Sequence, residues 1–174
     1  CESPISPYSF GKVASSQLLQ MLSRTEGFPA VILRLFLVYG PGQDNKRFLP
    51  QIIQGCLSGK SFPTSSGEQL RDICYIDDIT RGILMALINE NVNGEVINLA
   101  SGNPIAIREV IELVKNIVVQ GNPLFGKIPY RTGENMALYA NVTKAKNILN
   151  WESEVDVNNG LLKTINYYTN LGSV

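Results

Sequence analysis

Ala30-Val31-Ile32-Leu33-Arg34-Leu35-Phe36-Leu37-Val38-Tyr39 is an apolar run that a single charge interrupts, and Gly40-Pro41-Gly42 follows it. Branched and aromatic side chains at this density, ended by glycine and proline, predict a β-strand. A strand that is apolar at successive positions is typical of a parallel sheet that helices cover on both faces. We therefore expect residues 30–39 to form one continuous strand, buried on both faces, in an α/β domain.

A helix is predicted before this strand, over residues 7–24. Proline suits the first helical turn because its missing N–H would have no partner there, and Ser6 can cap the helix. Apolar side chains then recur with a helical period, at Phe10, Ala14, Leu18, Met21 and Leu22. Gly27-Phe28-Pro29 ends the helix, so that helix, turn and strand together form half of a βαβ unit.

Two residues of this helix suggest proton chemistry. Tyr8 and Lys12 are four positions apart, so their side chains lie on one face and can reach each other. A phenol beside an ammonium group has its anion favoured, which suits a tyrosine that exchanges a proton with a substrate. A Tyr-x-x-x-Lys spacing also arises readily by chance, so its meaning depends on the rest of the chain.

Helices and short strands alternate along the remaining sequence. Apolar periodicity predicts helices over residues 48–57, 77–89, 107–119, 141–149 and 157–171. Short apolar runs predict strands over 73–76 and 95–99, whereas residues 61–69, rich in Ser, Pro, Thr and Gly, predict a loop. Asp77 and Asp78 resemble a metal pair, but capping of the helix that they open explains both, so we expect no metal site.

The composition excludes several classes of protein. Fifteen basic residues balance fifteen acidic ones without a basic stripe, so we expect no nucleic-acid partner. The sequence has no histidine, which removes the usual zinc spacings and histidine-dependent triads. Cys1, Cys56 and Cys74 form no disulfide pattern and indicate reduced, buried thiols. No apolar run reaches the length of a membrane span and no signal peptide is visible, which predicts a cytoplasmic protein without a membrane partner.

Several motifs in one order make the chain recognisable. They are Tyr8-x-x-x-Lys12, Arg34-Leu35-Phe36-Leu37-Val38-Tyr39-Gly40-Pro41-Gly42-Gln43, Gly67-Glu68-Gln69-Leu70-Arg71-Asp72-Ile73-Cys74-Tyr75-Ile76-Asp77-Asp78, Glu95-Val96-Ile97-Asn98-Leu99-Ala100-Ser101-Gly102, Tyr130-Arg131-Thr132-Gly133-Glu134 and Lys144-Ala145-Lys146-Asn147-Ile148-Leu149-Asn150-Trp151. This set resembles the C-terminal part of an extended short-chain dehydrogenase/reductase, of the NAD-dependent nucleotide-sugar epimerase/dehydratase family. The resemblance covers nearly the whole chain.

The resemblance implies a fold and its division into domains. The fold would be the C-terminal part of a Rossmann-type doubly wound parallel sheet plus a small α/β substrate-binding domain. Residues 1–40 would be the last part of the NAD(P)-binding Rossmann domain, and residues 41–174 mainly the nucleotide-sugar-binding domain, with 77–100 returning to the Rossmann domain. The Gly-rich phosphate loop of that domain does not occur in the sequence, which begins abruptly at Cys1, so we expect a fragment of a longer protein.

The resemblance also implies roles for residues near the cofactor, which would be NAD or NADP. Tyr8 would be the acid/base tyrosine that moves a proton on a sugar hydroxyl while hydride passes to or from the nicotinamide. Lys12 would hold the nicotinamide ribose and favour the tyrosinate. Leu35 and Phe36, at the strand end, would pass under the nicotinamide.

A nucleotide diphosphate sugar is the implied substrate. Arg71 and Arg131 match family positions that contact the diphosphate, for which the forked guanidinium is suited. The alternative interpretation is a surface ion pair, for Arg71 with Asp72 or Asp77, because exposed pairs of this kind are common.

Four further residues complete the implied substrate site. Glu134 matches an acidic position that binds the nucleotide ribose, and Arg47 and Phe48 match a phosphate- and nucleotide-contacting stretch. Leu37 stands where many relatives carry an asparagine that touches the substrate. A changed sugar or a changed pose is the hypothesis that this difference raises.

The resemblance thus implies an NAD(P)-dependent nucleotide-sugar epimerase or 4,6-dehydratase that supplies sugars for surface polysaccharide. A nucleotide-sugar 4-ketoreductase is the alternative reaction, and a non-catalytic nucleotide-sugar-binding fragment is an alternative of another class. Full-length relatives commonly dimerise through the helix that carries the Tyr-x-x-x-Lys motif. That implies a homodimer for the whole protein and leaves the state of the fragment open.

Overall fold

The computed structural model of the chain describes residue 4 and residues 6–171, so the predicted thiol state of Cys1 lies outside the described residues. The helices are α1 (Pro7–Glu26), α2 (Phe48–Leu57), α3 (Ile76–Leu87), α4 (Ile107–Val118), α5 (Thr143–Leu149) and α6 (Val157–Leu171). The strands are β1 (Ile32–Leu35), β2 (Leu37–Tyr39), β3 (Ser61–Pro63), β4 (Leu70–Tyr75), β5 (Val96–Leu99), β6 (Pro104–Ala106), β7 (Asn122–Leu124) and β8 (Ala137–Leu138). The predicted helices are confirmed, with ends that differ by two residues or fewer.

The prediction of one continuous strand over residues 30–39 is wrong, because the strand divides at Phe36. β1 pairs in parallel with β5, whereas β2 pairs in parallel with β4. Phe36 therefore lies where the chain leaves one partner strand for another. The expected burial on both faces is also wrong for β1, because Leu35 is 45% exposed. Among the described residues, β5 is the only strand beside β1.

β4 is the central strand of the largest sheet. It pairs in parallel with β2 and β8 and antiparallel with β6, while β3 and β7 form a separate parallel pair. β4 begins earlier than the predicted strand over residues 73–76, and Ile76 already belongs to α3. The sequence did not predict β3, β6, β7 or β8, because runs of two or three residues are too short to show a period.

Two separate clusters of buried side chains form the interior of the part of the chain that the structure describes. In the first, which we call the α2 core, α2, α4 and α6 pack around residues such as Ile53, Val114 and Leu161. In the second, the α3 core, α3 and α5 pack on β5 around Ile79 and Trp151. None of the side chains of α1 is buried, although Ser6 and Ser9 form a reciprocal capping box at its start.

The predicted N-cap role of Asp77 and Asp78 is wrong, because Tyr75 is the N-cap of α3. The predicted acidic charge at the positive end of this helix is confirmed, because both residues lie in its first turn. Asp78 is buried instead and accepts hydrogen bonds from Arg81 and from the backbone N–H of Val155. These bonds hold the segment before α6 against α3, because a buried carboxylate needs its partners. Within residues 4 and 6–171, no cluster of three potential metal ligands occurs and no helix has the length and hydropathy to cross a membrane.

Cys56 and Cys74 are buried and free, as the sequence predicted for them. Burial raises the pKa of the Cys56 thiol. Burial, with the nearby Asp78 carboxylate, raises the pKa of Cys74 to about 12. Both thiols are therefore neutral near neutral pH, which is typical of structural cysteines.

Candidate functional site

Three adjacent cavities border the point where β1 gives way to β2. Cavity A has a volume of about 610 Å³, cavity B about 360 Å³ and cavity C about 380 Å³. Leu37 lines all three, and Phe48 and Arg131 line both A and B. The three cavities therefore have Leu37 as a common wall residue.

The change of partner at Phe36 explains why these cavities lie here. β1 follows β5 while β2 follows β4, so the backbone leaves one sheet and enters another over the three residues Leu35, Phe36 and Leu37. In open α/β sheets, ligands bind where neighbouring strands continue in different directions. The geometry of the sheets thus places these three side chains at a candidate ligand site.

Cavity A has an excess of positive charge. Lys46, Arg47 and Arg131 line it, with Asp44 as the one carboxylate among its described lining residues. Arg47 is the N-cap of α2, and the helix N-terminus adds partial positive charge to the same wall. Burial raises the pKa of Tyr39, which also lines this cavity, so its phenol is neutral there. The lining suits an anionic group.

Cavity B contains an ion pair between distant parts of the chain. Nη2 of Arg71, on β4, donates to Oε1 of Glu134, and both side chains are half-buried. The alternative pairing of Arg71 with Asp72 or Asp77 is therefore wrong. The Asp72 carboxylate instead accepts from Ser101, Gly102 and Ala140.

The loop that follows β3 forms one wall of cavity B. The Glu68 N–H donates to the Tyr130 hydroxyl at 3.0 Å, and Nε of Arg108 donates to the Ser66 carbonyl at 3.0 Å. Gly67 has φ +75°, and a Cβ there would lie 2.7 Å from the backbone nitrogen of Arg108. The loop is thus pinned to α4 and to the segment before residue 131.

Cavity C is mostly apolar and has the buried Asp72 in its wall. Leu35, Phe36 and Leu37 supply its apolar surface. The Asp72 carboxylate accepts from the N–H and hydroxyl of Ser101 and from the N–H groups of Gly102 and Ala140. With four donors, this carboxylate is a fixed anchor for three chain segments and not a free base.

Tyr8 and Lys12 lie apart from the cavities, on α1. The ammonium nitrogen of Lys12 is 5.6 Å from the centroid of the Tyr8 ring, so the predicted proximity of the two side chains is confirmed. Tyr8 is 76% exposed, and neither residue occurs among the described residues that line cavities A, B and C. The phenol is open to a ligand on the solvent side of α1.

The structure therefore sorts the predicted site residues into two groups. One group borders the cavities and comprises Leu35, Phe36, Leu37, Arg47, Phe48, Arg71, Arg131 and Glu134. The other group is Tyr8 and Lys12. Sequence reasoning assigned no role to Lys46, Thr64, Gln69 and Tyr130, which also line the cavities. Gln69 and Tyr130 lie within quoted motifs, whereas Lys46 and Thr64 lie outside them.

Known proteins are similar to the whole chain. The model of the NAD dependent epimerase/dehydratase family matches residues 1–100. The UDP-glucuronate 4-epimerase of Thermodesulfobacterium geofontis is 30% identical over 174 residues, which cover 95% of this chain and 51% of that protein. A dTDP-glucose 4,6-dehydratase of Escherichia coli is 30% identical over 183 residues, covering 97% of this chain and 49% of the relative. The chain spans about half the length of the curated relatives it matches.

Solved structures share its fold. The UDP-glucose 4-epimerase of Thermotoga maritima, determined with UDP-glucose, superposes with a TM-score of 0.89 at 30% sequence identity. The match covers 97% of this chain and 55% of the epimerase chain. The UDP-glucuronic acid 4-epimerase of Bacillus cereus, in complex with UDP-glucuronic acid and NAD, superposes with a TM-score of 0.86 at 31% sequence identity. The match covers 98% of this chain and 55% of the epimerase chain. The α/β fold of this chain thus matches about half the length of such structures.

Proposed function

The chain belongs to the NAD-dependent epimerase/dehydratase family, and from this premise we propose that it is part of an NAD(P)-dependent nucleotide-sugar epimerase or 4,6-dehydratase. Both reactions occur among its relatives at 30% identity. The substrate we propose is a nucleotide diphosphate sugar, bound in cavities A and B. Its use in surface polysaccharide synthesis is part of the same proposal.

The position of Arg131 between cavities A and B carries the proposal. Arg131 lines both, with Lys46 and Arg47 in cavity A and the Arg71–Glu134 pair in cavity B. A diphosphate at this junction would bind to arginine guanidinium groups and to the lysine ammonium group. Glu134 would accept a hydrogen bond from a ribose hydroxyl. Phe48 would contact the nucleotide and Leu37 the sugar, where the cavities meet.

We assign proton transfer to α1. Tyr8 would exchange a proton with a sugar hydroxyl, and Lys12 would favour the phenolate and hold the nicotinamide ribose. Leu35 and Phe36, which give cavity C an apolar wall, fit the face of a nicotinamide ring. NAD or NADP, when bound, supplies hydride transfer. The 174 residues contain no Gly-x-Gly-x-x-Gly loop, so the cofactor phosphates would be held by other residues.

We propose a division of the chain into two domains, which one strand pairing and the packing of α3 on β5 support. Residues 1–40 would belong to the NAD(P)-binding Rossmann domain and residues 41–174 mainly to the nucleotide-sugar-binding domain, with 77–100 returning to the first. The parallel pairing of β1 with β5 supports this division, because it joins segments more than sixty positions apart. The separate packing of α3 and β5 in the α3 core also supports it.

Leu37 is our candidate for the residue that determines which sugar the site binds. Its apolar side chain borders all three cavities, so a polar side chain there would add a hydrogen bond to any sugar at the junction. We expect Leu37→Asn to change the order of affinities among nucleotide sugars. An unchanged order would count against this role.

A calorimetric titration of the chain with NAD and with UDP-, dTDP-, CDP- and GDP-sugars tests the proposal. We expect measurable affinity for one class of nucleotide sugar and little for NAD, because the phosphate loop is not in the sequence. No affinity for any nucleotide sugar would contradict the proposed substrate. Tight NAD binding would contradict the expected weak affinity for the cofactor.

The alternative of a non-catalytic nucleotide-sugar-binding fragment is favoured by one observation. Tyr8 and Lys12 lie on a helix without a buried side chain, whereas the proposed substrate residues border formed cavities. A 4-ketoreductase would use the same residues. Product analysis with the whole protein, NAD(P) and the bound nucleotide sugar separates epimer, dehydrated sugar and reduced sugar.

A further inference from the structure

The segment between β2 and α2, residues 40–47, carries positive charge of cavity A but contains no helix or strand. Lys46 and Arg47 lie in it, and both are exposed. The Asp44 carbonyl accepts from the Arg47 N–H at 2.8 Å, and the Asp44 carboxylate accepts from the Lys46 N–H at 2.8 Å. These local bonds give the segment a shape, but they do not fix its position against the cavity.

A tyrosine of the last helix holds this segment from outside. The Tyr168 hydroxyl, on α6, donates to the Gln43 carbonyl at 2.6 Å. Nε2 of Gln43 in turn donates to the Val38 carbonyl, in β2, at 3.0 Å. Among the described residues, the other hydrogen bonds of residues 43–47 join positions five apart or fewer. The bond from Tyr168, across 125 positions, therefore ties the segment to a distant part of the chain.

The packing of Tyr168 does not require its hydroxyl. The residue is buried in the α2 core, where its ring meets the ring of Tyr167 edge-on with 5.3 Å between the centroids. A phenylalanine ring would keep these contacts. Burial raises the pKa of Tyr168, so the phenol is neutral near neutral pH and remains a donor. The hydroxyl thus serves the bond to Gln43.

We propose that Tyr168 is a positioning residue for the substrate, because it fixes the segment that presents Lys46 and Arg47 to cavity A. This inference rests on the proposed function, which supplies the diphosphate. Tyr168 lines none of cavities A, B and C, so it acts through Gln43 and not by contact with the ligand. A bond between a guanidinium and a phosphate depends on geometry. If the segment were free to shift, part of the binding free energy would be lost in ordering it.

The direct test is Tyr168→Phe, which removes the hydroxyl and keeps the ring. The ligands for calorimetry are inorganic pyrophosphate, which isolates the anionic group, and the nucleotide sugar that binds most tightly. We expect both affinities to fall about 3- to 10-fold, as the loss of one hydrogen bond does.

Tyr167→Phe is the matched control, because it makes the same change at the neighbouring residue. The Tyr167 hydroxyl lies beside Gly42 but forms no hydrogen bond with the described residues. We expect this variant to bind both ligands as tightly as the parent chain.

Ile165→Val separates positioning from stability. Ile165 is buried in the α2 core and lies one turn before Tyr168 on α6. Its shortening and the loss of the Tyr168 hydroxyl destabilise the fold by similar amounts, so we expect both melting temperatures to fall by about 2–6 °C. Only Tyr168→Phe should also weaken pyrophosphate binding.

A double-mutant cycle shows whether Tyr168 acts through the charge of this segment. Arg47→Gln removes that charge, and the Arg47 side chain makes no capping bond that the change would break. We expect Tyr168→Phe to weaken pyrophosphate binding by less than about 2-fold in the Arg47→Gln chain, because less charge is left to position.

The possible failures are distinct. A Tyr168→Phe chain that binds both ligands as tightly as the parent chain overturns the inference and leaves the proposed function standing. An equal loss of affinity in Ile165→Val or in Tyr167→Phe also overturns it, because the bond to Gln43 would then not be the cause. An undiminished effect of Tyr168→Phe in the Arg47→Gln chain has the same consequence. A parent chain that binds neither pyrophosphate nor any nucleotide sugar removes both proposals.

Discussion

The wall of cavity B and the exposed face of α1 carry the two halves of the proposed chemistry and differ in how firmly they are held. Backbone and side-chain bonds to α4 and to residues 124–130 fix the cavity wall. α1 has a capping box but no buried side chain. The difference teaches that bonds among the described residues fix the wall of cavity B, whereas no buried side chain among them fixes α1, which carries Tyr8.

The largest expected difference between the α2 core and α1 is in the stability lost when a leucine is shortened to alanine. Leu161 is fully buried in the α2 core, whereas Leu18 on α1 is 53% exposed. We expect Leu161→Ala to lower the free energy of unfolding by about 2–5 kcal/mol, because it leaves a cavity. Leu18→Ala, as the matched change, lowers it by about 0.5 kcal/mol or less. Urea unfolding measures both, and equal losses would remove the contrast.

The Asp72 anchor should give the next largest effect. Asp72→Asn replaces an acceptor oxygen by a donor that faces N–H groups of Gly102 or Ala140. We expect a loss of about 2–4 kcal/mol in the free energy of unfolding. Asp77→Asn, at an exposed carboxylate in the first turn of α3, should change it by about 0.5 kcal/mol or less. A tolerated Asp72→Asn would show that the wall of cavity C is not held by this carboxylate.

The Cys74 thiol should make a smaller, pH-dependent contribution to the free energy of unfolding. Its pKa is raised to about 12 in the folded chain from an ordinary value of 9.0. Its contribution to stability is therefore complete below about pH 9 and is lost as the pH rises towards 12. We expect the stability of Cys74→Ala to fall less steeply between pH 9 and pH 11 than that of the parent chain. Identical slopes would contradict the raised pKa.

Local patterns were enough for the helices, because a period of 3.6 residues is visible in the sequence alone. The division at Phe36 was not predictable in the same way. It depends on β4 and β5, which lie more than thirty and sixty residues further along the chain. The placement of Arg71 beside Glu134 likewise joins residues 63 positions apart.

The site residues were predictable only where a motif marked them. Arg71, Arg131 and Glu134 belong to motifs that resemble the family, and the structure brings them to one cavity. Tyr168 belongs to a predicted helix, but no motif marks it. Its hydrogen bond to Gln43 joins residues 125 positions apart, so no local pattern could show it.

The most direct test of the proposed function is a calorimetric titration of the parent chain and of Arg131→Gln with the nucleotide sugar that binds most tightly. Arg131 borders both cavities, so we expect the substitution to weaken binding about 10- to 100-fold, as the loss of a charge-assisted contact does. Arg24→Gln, at the end of α1, is the control and should leave the affinity unchanged. Equal affinities of the parent chain and Arg131→Gln would contradict the assignment of the diphosphate to this junction.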